Sequence, residues 1–189
     1  MIKFNDALKK YASLINVAIF ILITYFFHEL WWAFSKEIKS VPGVIETAEW
    51  LAHQVFTASL WFIQATYDSS AIAEANNTIR FSNGGYITVN ESCSGLKQFY
   101  QILVLFILFP GPWKHKTWFI PMSIIIMHFT NISRIIMLGM ITLWLPDHWH
   151  FVHDWILRPF FYVVIFMLWV WWVEKFGGVG RKVEMRGEA

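Results

Sequence analysis

The stretch TWFIPMSIIIMHFTNISRIIMLGMITLWL, residues 117–145, decides the fold, because Arg134 is its single formally charged side chain. As a helix it measures about 43 Å at 1.5 Å per residue. That exceeds the ~30 Å hydrocarbon core of a bilayer, so the segment crosses with tilt or protrudes. Three more apolar stretches accompany it. Residues 11–34 end in Trp31 and Trp32, and residues 92–109 are closed by Pro110-Gly111-Pro112. Residues 155–173 close on Trp169, Trp171 and Trp172, which read as an interfacial girdle. Of the 189 residues, 57% are hydrophobic and 12 are tryptophan, and the mean hydropathy is +0.46. A soluble domain could bury that much apolar surface only with an outsized core, so lipid is the expected solvent. The expected fold is an all-α polytopic membrane protein, one domain over residues 1–189: a bundle of about four transmembrane helices, an amphipathic outer helix and a short hairpin.

Loop charges orient the bundle. With four spans, Lys3, Lys9, Lys10, Lys114, Lys116, Lys175, Arg181, Lys182 and Arg186 share the cytoplasmic side, against Lys36, Lys39 and Arg80 outside. The positive-inside rule favours that arrangement, with both termini inside and residues 35–91 outside. Within this outer segment, residues 44–66 carry Glu46, Glu49, His53 and Gln54 at helical spacing. Such a stretch either spans or lies amphipathically in the interface, and a fifth span would reverse most of the charge count. Further on, Asn83-Gly84-Gly85 between alternating runs predicts a hairpin over residues 79–89. The net charge of +2, with no basic cluster interleaved with aromatics, excludes nucleic acid as a partner.

Three positions carry chemistry. Cys93 is the only cysteine, which rules out an internal disulfide and a CxxC redox pair. It falls where the 92–109 helix is expected to start, and the unpaired N–H groups of a helix start favour a thiolate. Ser92 and Ser94 are candidate caps, and Gly95 allows another chain to come close. Arg134 lies deep in its span, where a guanidinium costs at least about 2.5–3.5 kcal/mol and must face a polar interior. Asn131, three residues earlier on the same helix face, is its expected hydrogen-bonding neighbour. The loop before the last span holds His148, His150 and His153. The spacing is not that of the HExxH zinc peptidases, so no metal or other cofactor is expected. His153, with Asp154 beside it to orient a partner, stands at the expected helix start and is the preferred base, with His150 the alternative.

Cys93, Arg134 and His153 are all expected near the outer leaflet, a constellation suited to acyl transfer. An imidazole can hold a thiolate and protonate a leaving amine, while a guanidinium stabilises the oxyanion. Glu91-Ser92-Cys93-Ser94-Gly95-Leu96 and Asn131-Ile132-Ser133-Arg134 resemble the two motifs of the exosortase/archaeosortase family. His153 is similar in place to the family's histidine, and the resemblance covers residues 86–173. The chain resembles a compact bacterial type of that family. The resemblance implies a cysteine transpeptidase of the bacterial inner membrane, its site facing the extracytoplasmic side. It implies substrates that are exported proteins ending in a short motif, a transmembrane helix and a basic tail. Cleavage near the motif would form a thioacyl intermediate, passed to a lipid or polysaccharide-type acceptor. Two other readings compete: a metal-dependent intramembrane hydrolase built on His148, His150 and His153, and a non-enzymatic membrane scaffold.

Overall fold

The computed structural model describes residues 10–67 and 71–179. Lys3, Lys9, Arg181, Lys182 and Arg186, which the orientation argument used, lie outside them. In chain order come α1 (Ala12–Ala33), α2 (Ser35–Ser40), α3 (Val44–Tyr67), β1 (Ala71–Glu74), β2 (Thr78–Phe81), β3 (Tyr86–Thr88) and a 3-10 turn (Glu91–Cys93). Then follow α4 (Leu96–Leu108), α5 (Trp113–Trp144), a 3-10 turn (Pro146–His148), α6 (Trp149–Phe151), a π-helical turn (Val152–Leu157) and α7 (Arg158–Lys175). The chain is an all-α polytopic membrane protein that carries one small sheet. Three helical stretches are long and apolar enough to cross a membrane: α1, α5 and the continuous run Pro146–Lys175. The fourth expected span, 92–109, is shorter than the sequence suggested. Its helix α4 has 13 residues, about 20 Å at 1.5 Å per residue. A 3-10 turn and Gly95 at φ +81° precede it, and Pro110 follows. The last two spans instead begin earlier than expected, α5 at Trp113 and the final run at Pro146 rather than at 117 and 155.

The chain divides into two compact units. Among the described residues, the first draws on 10–34, 99–124 and 164–179, the second on 35–67, 71–98 and 125–163. Aromatic packing holds the first. Phe119 meets Phe106 at 4.9 Å and Trp172 at 5.0 Å between ring centroids, and Phe20 meets Trp169 at 4.7 Å. Trp169 and Trp172 are therefore core residues, not the expected girdle, and Trp171 alone of the three is exposed. Lys116 also departs from its reading as a loop charge. It is buried, and its Nζ donates to the carbonyls of Ile107 (2.9 Å) and Phe109 (2.8 Å), over the ring of Trp113. The last carbonyls of α4 need such donors, and an ammonium there also meets the negative end of the helix dipole.

In the second unit the expected hairpin is part of a three-stranded antiparallel meander, β1-β2-β3. Gly84, at φ +85°, closes the β2–β3 turn, as its missing Cβ allows. Asn83 Nδ2 anchors that turn to the carbonyls of Thr142 (2.7 Å) and Leu143 (3.1 Å) near the end of α5. The unforeseen strand β1 is too short to show an alternating pattern, but Asn76 and Asn77 before β2 carry the signal for its turn. Both adopt positive φ, which asparagine tolerates better than most residues. Across the strands Arg80 pairs with Glu74, and that hydrogen bond holds the Glu74 carboxyl below the ordinary carboxylate range.

One face of α3 buries Ala52, Val55, Phe56 and Ile63, residues at helical spacing, against Ile79, Phe81 and Ile87 of the sheet and Ile135 and Leu138 of α5. Gly139 lies where these layers meet. A Cβ there would sit 2.9 Å from Ile63 Cδ1 and 3.1 Å from Phe81 Cζ. Gly139→Val should therefore destabilise the protein by about 1–3 kcal/mol through overpacking, seen as a lower melting temperature in detergent. A variant melting at or above wild type would contradict this packing.

Candidate active site

Cys93, Ser94, Asn131, Arg134, His153 and Asp154 all lie in the second unit. Cys93 ends the 3-10 turn that Asn90 caps, Asn90 Oδ1 accepting from the Ser92 amide at 3.1 Å. The Cys93 amide is spent on the Asn90 carbonyl at 2.9 Å. Gly95 and its positive φ separate this turn from α4, so Cys93 does not open that helix as the sequence suggested. Ser94 takes the capping place. It is buried, and its Oγ accepts from the Leu96 amide at 3.2 Å.

Asn131 and Arg134 are one turn apart on α5, but the expected bond between them is not made. Asn131 is fully buried, and its Nδ2 donates to the Cys93 carbonyl at 2.6 Å. Arg134 reaches instead to His153, Nη2 to Nε2, at 3.1 Å, and lies over the ring of Phe161. Since a guanidinium can only donate, Nε2 is the accepting nitrogen, and the imidazole proton sits on Nδ1. Nδ1 donates it to Asp154 Oδ1 at 2.8 Å. Asp154 also accepts from Arg158 at 3.2 Å, one helical turn on. The imidazole stacks on Trp149, ring centroids 4.8 Å apart and planes 9° from parallel.

The wide turn Val152–Leu157 lets these groups converge. The Arg158 amide bonds the His153 carbonyl five residues back, so the helix takes up an extra residue there. Such π-bulges recur at functional sites. His153 thus lies inside a helical run that begins before it, not at the helix start that sequence implied. Trp149 and Arg158 were missed, although their spacing, four residues before His153 and four after Asp154, is the helical signal that could have found them. His148 and His150 are exposed, and among the described residues no three His, Cys, Asp or Glu side chains gather as metal donors.

The family model for transmembrane exosortases matches residues 11–170. The chain belongs to the transmembrane exosortase family. No curated protein and no solved structure matches it. Membership carries a general role in membrane transpeptidation and protein sorting. In this exosortase the family match spans α1 through most of α7, so it covers every element that supplies a candidate side chain.

Proposed function

We propose that this exosortase cleaves the C-terminal sorting signals of exported proteins at the extracytoplasmic face of the bacterial inner membrane. One observation supports the reading above all others: Arg134, half-buried, bonds His153 Nε2 from the same helix whose Asn131 bonds the Cys93 carbonyl. The Cys93 sulfur attacks the scissile carbonyl carbon, and the carbonyl oxygen takes the displaced electron pair. Arg134 meets that developing charge. As the C–N bond breaks, the leaving amine receives the thiol's proton by way of His153, whose tautomer Asp154 sets. In the resting arrangement Arg134 occupies His153 Nε2, so proton transfer requires that nitrogen to exchange the guanidinium for the thiol. A hydroxyl or amine of a lipid or polysaccharide-type acceptor then attacks the thioester, and the C–S bond breaks to restore Cys93.

The reading is tested by co-expressing the chain with exported proteins that end in a motif, a helix and a basic tail. Loss of the helix is followed by mass, with wild type against Cys93→Ala. Labelling Cys93 with an impermeant thiol reagent added outside tests the orientation. Equal helix loss with Cys93→Ala sinks the thiol mechanism.

His153→Ala should lower cleavage by roughly 10² to 10⁴ if the imidazole moves the proton. His148→Ala and His150→Ala should be mild, because both side chains are exposed. Chelators should leave the rate unchanged. Equal losses at all three histidines, restored by added zinc, would instead support a metal-dependent hydrolase.

A further inference from the structure

We propose that Asn131 is a positioning residue for the nucleophile, a clamp that holds the Cys93 turn against α5. Three observations place it there. Its Nδ2 donates to the carbonyl of Cys93 itself, 38 residues away in sequence, at 2.6 Å. Gly95, two residues past the thiol, adopts φ +81° and leaves space that a Cβ would take from that amide, at 3.1 Å from Nδ2. Third, the other half of the amide is unrewarded: Asn131 Oδ1 is buried, and among the described residues no hydrogen bond satisfies it.

The third observation separates positioning from stabilisation. An unsatisfied buried acceptor costs stability, so an apolar side chain of similar volume would serve a purely structural purpose better. What asparagine provides at 131 is a donor aimed at one carbonyl. That carbonyl belongs to the residue whose sulfur is the nucleophile of the proposed function, and the donor sits one turn from Arg134 on the same helix. The 3-10 turn that carries Cys93 is short, and Gly95 separates it from α4, so the clamp supplies a tether to the helix that bears Arg134. Cys93 is half-buried against the cluster formed by α3, the sheet and α5, and loss of the tether frees it to leave that cluster.

The inference rests on Cys93 being the reacting thiol, but its test needs no substrate. The rate of Cys93 alkylation by iodoacetamide is measured on the folded, detergent-solubilised chain, alongside the melting temperature. Asn131→Leu, close in volume but without a donor, should alkylate about three- to tenfold faster than wild type, the population shift that losing one ordinary hydrogen bond allows. Its melting temperature should stay near that of wild type. Gly95→Ala, which presses on the same amide from the other side, is an independent variant with the same expected direction. A merely structural role would lower melting and leave the native-state rate unmoved. An unchanged or slower rate in Asn131→Leu and Gly95→Ala overturns the clamp. Helix loss that persists in Cys93→Ala would overturn the thiol mechanism without altering the alkylation result, so the two failures can be told apart.

Discussion

Arg134→Lys should lose about 10² to 10³ in cleavage rate while remaining inserted and folded. Lysine keeps the charge but not the planar fork. Arg134 uses Nη2 on His153 and lies over the ring of Phe161, and a single ammonium on a flexible stem cannot reproduce that planar placement. Stability should move the other way. The side chain is half-buried on a membrane-spanning helix, its hydrogen-bonded partner is an imidazole rather than a carboxylate, and among the described residues its buried Nε has no hydrogen-bond partner. A cation so placed within a span and so poorly compensated destabilises the fold. Arg134→Met should therefore be inactive and melt at or above the wild-type temperature. The two readouts are taken together on each variant. Wild-type cleavage by Arg134→Lys would refute the need for the fork. Unfolding of both variants would show that the arginine is structural.

Cys93→Ala should be the most severe substitution for activity, with loss on the order of 10⁴ to 10⁶, as expected when a nucleophile is removed from a group that acts as a unit. Uncleaved substrate should accumulate. Cys93→Ser should be nearly as poor, because a hydroxyl is a weaker nucleophile beside the same groups. Neither change should disturb folding much. The thiol is half-buried, among the described residues no hydrogen bond reaches it, and the turn is held through backbone atoms that both variants retain. The decisive comparison is helix loss from the co-expressed exported protein, read by mass, against the amount of folded chain in the membrane. Full processing by either variant would end the thioester reading.

Much of the fold was legible because apolarity adds up along a chain. Residues 11–34, 117–145 and 155–173 announce themselves as membrane helices whatever they pack against, and the family was legible from two motifs on separate segments. Loop chemistry was partly legible too: Asn83-Gly84-Gly85 marked a turn, while four-residue β1 showed no period. Direction and pairing were a different matter. Trp172 and Lys116 looked like surface residues by type, but a tryptophan ring can fill a core and an ammonium can cap a helix from within. The choice depends on which carbonyls and rings come near, and composition does not contain that.

The candidate site divides along the same line. Sequence by itself determined which residues have the chemistry: a lone thiol, an arginine in an apolar span, a histidine beside an aspartate. Tertiary structure decided who meets whom. Asn131 was paired on paper with Arg134, three residues along its own helix, yet its amide bonds Cys93 and the guanidinium bonds His153. Local spacing says which side chains share a helix face, while a hydrogen bond needs a donor and acceptor about 3 Å apart and aligned. Across 38 and 19 residues of chain, that alignment comes only from how α5, the Cys93 turn and the wide turn at Val152–Leu157 pack together.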